Sequence, residues 1–217
     1  MVDFARARRT MVDNQLRTSG ITDWRILDAM NRVPRERFVP ENQVAFAYSE
    51  EAIQLSPLRA MMVPSALARL IQLAEIGSQD VVLDVGCGTG YSTAVIAGLA
   101  NAVVALESEE ALAARGNDIL AHLDIGNAGI VTGPIERGVP REAPFGAVIL
   151  QGAVDAVPPA LFEQLSDGGK LVAVIGSGHA AVAHLYVKTG DDVASTPTFN
   201  LSLPMLGQFA PKPEFVF

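Results

Sequence analysis

Apolar positions along the chain change period several times, and each change marks a predicted element. Residues 3–18 contain few helix breakers and place Met11 and Leu16 on one face of a helix. Ser19-Gly20 interrupts it. Thr22 and Asp23 then offer N-caps, and Trp24, Ile26, Leu27, Ala29 and Met30 repeat as a short amphipathic helix. Val33-Pro34 ends that helix, because the residue before a proline is pushed out of α geometry. Residues 51–64 show no period and many turn formers, so they read as an irregular loop, a kind of segment that often carries function.

From residue 64 onward, apolar runs alternate with helical spacing. Pro64-Ser65 opens a helix whose apolar face is Ala66, Leu67, Leu70, Ile71, Leu73 and Ala74, with Gly77 as its C′ residue. Strands are predicted at 81–83, 102–106, 128–133 and 147–150, and helices at 91–99, 109–123 and 158–165. A turn at 167–169 leads into a fifth strand reaching 176, and 184–188 reads as another strand. Residues 198–217 form an apolar tail, with Phe209, Phe215 and Phe217 expected to dock on the body. Strands alternating with helices predict an α/β protein. At 217 residues the expectation is a single domain over 1–217, with a helical cap and loop over 1–64 and an α/β core over 65–217.

Composition narrows this picture. Hydrophobic residues make up 49% and charged residues 18%, which fits a chain with a packed core. The formal net charge of −8 argues against a general affinity for nucleic acid, which needs Lys and Arg against phosphates. Arg6, Arg8 and Arg9 are basic but read as a solvated helix face. Cys87 is the only cysteine, so no intramolecular disulfide forms, and its place inside a glycine turn predicts packing rather than reactivity. No apolar run is long enough for a membrane span, and the first residues lack the apolar core of a signal peptide. A cytoplasmic location is therefore expected. His179 and His184 stand without further ligands, so no metal site is expected.

The chemistry concentrates in Asp84-Val85-Gly86-Cys87-Gly88-Thr89-Gly90-Tyr91, after the apolar run 81–83. It reads as strand, tight turn and helix. Each glycine lets the backbone take positive φ or lie against a ligand, and the helix N-terminus that follows favours an electron-rich partner. The pattern is not the dinucleotide fingerprint, and the lack of Gly-Lys-Ser/Thr excludes a P-loop. Glu107 ends the next strand, where an acid usually accepts from both hydroxyls of a ribose. Its other reading is a plain cap of the helix after it, together with Glu109 and Glu110.

The glycine turn resembles motif I of class I S-adenosylmethionine-dependent methyltransferases. Met11 to Glu41, MVDNQLRTSGITDWRILDAMNRVPRERFVPE, is more specific. It resembles the N-terminal segment of the protein-L-isoaspartate (D-aspartate) O-methyltransferase family, as do Tyr48, the Pro158-Pro159-Ala160-Leu161 helix start and Gly168-Gly169-Lys170-Leu171-Val172. The resemblance implies a doubly wound, Rossmann-like sheet with helices on both faces and an N-terminal helical cap. It implies S-adenosyl-L-methionine as cofactor, and as partner a protein or peptide with a damaged aspartyl residue. Residues 51–64 then lie on the acceptor side. The implied cofactor-binding set is Asp84, Gly86, Cys87, Gly88, Gly90, Tyr91, Ser92, Glu107, Ser108, Pro134, Ile135 and Gln151.

Three positions depart from the family pattern. Met62 stands at the family's serine, and a thioether has no proton to donate. Met61 and Met62 either line an apolar pocket or pack as adaptable core. Pro134 replaces an acid, and Gly146 an aspartate. No catalytic residue is therefore assigned. Two alternatives stay open: a methyltransferase with another acceptor, and a non-catalytic protein that binds the cofactor or a partner.

Overall fold

The computed structural model describes residues 3–207. The N-terminal prediction resolves into several turns rather than one helix. Helix α1 (Phe4–Met11) is capped by Asp3, whose carboxylate accepts from the Arg6 amide at 3.0 Å. The chain then widens into a π turn (Val12–Leu16), tightens over Arg17–Ser19 and stops at left-handed Gly20. Helix α2 (Trp24–Arg32) is capped by Asp23 as expected, and its C-cap is Val33, the residue before Pro34. Met11, Leu16, Ile26, Leu27 and Met30 are buried, so these turns pack through one apolar face.

The predicted loop at 51–64 is instead a β-hairpin, β1 (Ile53–Ser56) with β2 (Arg59–Met61). Its signal was hidden because each strand is short and the turn is built by a side chain. Ser56 Oγ accepts from the amides of Leu58 and Arg59, both at 3.1 Å, an arrangement that fixes a turn locally. The hairpin forms a two-stranded sheet separate from the main one.

Next come α3 (Pro64–Ala74), β3 (Val81–Val85), α4 (Tyr91–Ala97), β4 (Ala102–Glu107), α5 (Glu110–His122), β5 (Ala128–Thr132), β6 (Phe145–Val154), α6 (Pro159–Glu163), β7 (Leu165–Ile175), β8 (Val182–Thr189) and β9 (Asp192–Asn200). The main sheet has the order β5-β4-β3-β6-β7-β8-β9. Its first five strands are parallel; β8 runs antiparallel to β7, and β9, antiparallel to β8, shares the direction of the first five. The order reverses between β3 and β6, the switch point where ligands of open α/β sheets bind.

Side-chain alternation splits the core. Val82, Val103, Ala105, Ile149 and Val172 share one apolar cluster with residues of α2 to α5. Leu83, Val85, Leu106, Val148 and Leu171 share the other with Leu161 of α6. Helices thus cover both faces of a Rossmann-like sheet, with α6 and the short turn at Ile135–Arg137 on the second among the described residues.

Smaller boundaries moved. The C-cap of α3 is left-handed Glu75, two residues before Gly77. The Gly77 amide instead bonds Asp80 Oδ2 at 2.7 Å. Thr198, expected to open the tail, lies inside β9. Phe209, Phe215 and Phe217 lie outside the described residues.

Candidate active site

The central strand β3 delivers Asp84 to the point where the sheet order reverses. Its carboxylate is fully buried and accepts three hydrogen bonds: from Gln151 Nε2 at 2.6 Å, Ser92 Oγ at 2.7 Å and Thr93 Oγ1 at 2.7 Å. Two donors come from the first turn of α4 and one from β6, so the turn and the neighbouring strand orient the acid together. All three donors are neutral. Burial therefore dominates and pushes the Asp84 carboxyl up to about 6, with the hydrogen bonds opposing it.

The turn that follows has positive φ at Gly86 (77°) and Gly88 (59°), as a chain reversing over a strand end requires. Its bare backbone faces are covered by two leucines. A Cβ at Gly88 would stand 2.6 Å from Leu55 Cδ1, and one at Gly86 2.8 Å from Leu206 Cδ2. Leu55 comes from the hairpin. Leu206 lies in the C-terminal segment, where its N–H donates to the Ala153 carbonyl at 2.9 Å.

Glu107 ends β4 and is also fully buried. It forms an ion pair with Arg59 of the hairpin, whose Nε–H reaches Oε2 at 2.8 Å and Oε1 at 3.0 Å. The amide of Gly88 donates to Oε2 at 2.8 Å. The amides of Ser108 and Glu109 donate to Oε1 at 2.7 and 3.1 Å, and Ser108 Oγ does so at 3.2 Å. Two further Arg59 donors go to Ser108 Oγ at 2.8 Å and the Leu58 carbonyl at 2.9 Å. Both readings of Glu107 meet here: it caps the turn into α5, and it stands at the strand end where a ribose acceptor is expected.

The other predicted positions divide. Gly90 is the N-cap of α4 at φ 85°. Cys87 is buried, and burial pushes its thiol well above the usual range, which leaves it unreactive. Tyr91 turns toward the N-terminal cap. Its ring meets Phe38 edge-on at 5.6 Å and lies 4.6 Å from the buried Arg35 guanidinium, which bonds the Ala47 and Met62 carbonyls. Ser108 serves Arg59. Pro134 precedes a short turn at Ile135–Arg137, and Ile135 is fully buried in the cluster of Leu83, Val85 and Leu106.

Two of the three departures have structural correlates. Met62 is buried and lines the cavity between hairpin and glycine turn, together with Ala60, Met61, Cys87, Ser92 and Gln151. The nearby hydroxyls are engaged elsewhere: Ser56 donates to Glu109 at 2.5 Å and Ser65 to Glu50 at 2.6 Å. At Gly146 an added Cβ would meet Asp80 Oδ1 at 2.6 Å, so Asp80 fills the space an aspartate at 146 would need. At Pro134 nothing in the structure explains the replacement. Two residues that bond the candidate acids escaped the sequence reading, Thr93 and Arg59. Arg59 had a signal, being the one charged residue in the apolar stretch 53–64. Among the described residues no group of His, Cys, Asp and Glu is arranged to hold a metal, and no helix is long and apolar enough to cross a membrane.

A sheet in which β8 alone runs against its otherwise parallel strands, and a glycine turn between two buried strand-end carboxylates, define the class I methyltransferase architecture. The family model of protein-L-isoaspartate(D-aspartate) O-methyltransferase (PCMT) matches residues 6–201. Protein-L-isoaspartate O-methyltransferase of Koribacter versatilis (strain Ellin345) is 38% identical over 177 residues, 82% of this chain and 80% of that one. The enzyme of the same name from Roseiflexus sp. (strain RS-1) is 35% identical over 210 residues, 96% of each chain. The chain belongs to the protein-L-isoaspartate O-methyltransferase family, whose cofactor is S-adenosylmethionine. The fold agrees. A solved protein-L-isoaspartate O-methyltransferase superposes with a TM-score of 0.79 at 23% identity, covering 91% of this chain and 65% of that one. A Plasmodium falciparum family structure, in complex with S-adenosyl-L-homocysteine, gives 0.76 at 21% identity, covering 92% and 97%.

The donor set suits that cofactor in kind: one carboxylate for an ammonium, one for a ribose diol, and bare backbone between them. It does not suit it in space. The cavity beside the turn measures about 20 Å³, room for roughly one water. Ligand sites run to several hundred Å³.

Proposed function

We propose that this chain transfers a methyl group from S-adenosylmethionine to the free carboxylate of an L-isoaspartyl residue in a damaged protein. The carrying observation is the pair of buried strand-end acids around the glycine turn, Asp84 and Glu107, in a chain matched to the family over residues 6–201. The cofactor supplies an already activated methyl group. The protein supplies alignment, which converts an encounter into a nearly unimolecular step. The acceptor is ionised at neutral pH, so no side chain is needed as a base, which fits a site that presents Met62 where a hydroxyl would stand.

Asp84 holds a cationic group only when ionised. With its carboxyl pushed up to about 6, that role is available above this pH and fades below it. A single acceptor chemistry runs through the relatives, so neither a different acceptor nor a non-catalytic role is favoured. The test is methyl transfer to an isoaspartyl peptide beside its normal aspartyl twin. Transfer to the isoaspartyl peptide alone is expected. Equal transfer to both, or to neither, would sink the proposal.

A further inference from the structure

We propose that Arg59 sets the affinity for the cofactor by competing with the ribose for Glu107, so that the β1–β2 hairpin must swing off the glycine turn before S-adenosylmethionine binds. This inference rests on the cofactor-dependent reading above.

Three independent observations converge on the hairpin. First, the Glu107 carboxylate has no capacity left. Five donors point at it: Arg59 Nε, the amides of Gly88, Ser108 and Glu109, and Ser108 Oγ. A carboxylate offers about four lone-pair sites. The backbone donors belong to the turn and stay. Two donors can leave: Arg59, which arrives from a separate element, and the Ser108 hydroxyl, which can rotate once Arg59 no longer bonds it. Second, the same hairpin carries Leu55, which lies on Gly88 where the backbone has to be bare for a ligand to approach. Arginine and leucine therefore block the diol acceptor and the Gly88 side of the cradle at once, while Leu206 covers Gly86. Third, the hairpin is a two-stranded sheet outside the main one. It is held to the body by the side-chain bonds of Arg59 to Glu107 and Ser56 to Glu109, by Ile53 and Met61 in the main apolar cluster, and by the Gly207 amide on the Leu58 carbonyl. Such a piece can move without breaking a ladder of the central sheet. When it moves, both Arg59 and Glu107 regain partners, the arginine in water and the carboxylate in the diol. That exchange makes displacement feasible and also makes the closed state a tax on affinity.

The test is calorimetric binding of S-adenosyl-L-homocysteine to the full chain, as wild type, Arg59→Gln and Leu55→Ala. Amide hydrogen exchange is followed over residues 53–61 in the unliganded proteins. If the closed hairpin is populated at 90% or more, removing either blocking group tightens binding by about tenfold or more. Faster exchange across 53–61 is expected in the same variants. A purely structural arginine would lower thermal stability without tightening binding. Should Arg59→Gln fail to fold, Leu55→Ala decides alone. Unchanged or weaker binding in the folded variants overturns the competition and leaves the cofactor reading standing. No binding by wild type or variants overturns both.

Discussion

Asp84 and Glu107 end neighbouring parallel strands, and both are fully buried. Their surroundings differ in one respect. Asp84 is held by two hydroxyls and an amide, all neutral, from α4 and β6. Glu107 is held by backbone amides, a hydroxyl and a guanidinium. The neutral cage leaves Asp84 carrying its charge in a desolvated place, which raises its pKa, and leaves a counter-charge wanting. The cation from the hairpin satisfies Glu107 within the protein itself. Position and burial alone thus do not make a carboxylate available to a ligand; what already pairs with it decides.

Mutating the two acids separates them most sharply. Glu107→Ala strands a buried guanidinium, so a loss of about 3–5 kcal/mol is expected in denaturant unfolding. Asp84→Ala leaves only neutral donors unpaired, and about 1–3 kcal/mol is expected in the same measurement. Equal losses would mean that the arginine finds water in the Glu107 variant and that the contrast is not one of charge.

The pH dependence sharpens the Asp84 side. Its folded pKa, about 6, lies above the ordinary 3.8. The stabilisation it contributes is therefore complete below 3.8 and lost as pH rises through about 6. Asp84→Asn should flatten that part of the stability curve, by up to about 1.4 kcal/mol per pH unit. Unfolding titrations of both proteins between pH 4 and 7 would show it, and identical slopes would refute the assignment. The smallest effect concerns the acceptor side. Met62→Ser supplies a hydroxyl beside the glycine turn, worth about 1 kcal/mol of alignment, or roughly fivefold in kcat/KM toward an isoaspartyl peptide. A decrease would show that Met62 serves packing alone.

Much of this site was legible because it is local. Asp84, the alternate glycines and Ser92 lie within one strand–turn–helix unit, and strand sterics place them whatever surrounds them. Glu107 was legible as a strand end, one unit later. The hairpin was not: its strands are too short for a period to emerge, and its turn depends on the Ser56 hydroxyl. Ile135 shows the same limit in reverse. The resemblance put it in the cofactor-binding set, and the structure buries it in the core with Leu83 and Leu106.

The alternation of apolar runs and helical spacing, with the acid–glycine spacing at the first strand, by itself determined an α/β sheet and where its strand-end acids stand. Backbone sterics and burial act over a few residues, so such features survive in a linear reading. Only the tertiary structure decided that Arg59 reaches across 48 residues to Glu107, and that Leu55 and Leu206 lie on the glycines. Those contacts join segments that no local rule connects. In a desolvated site, a partner brought from afar determines whether a carboxylate is free to bind.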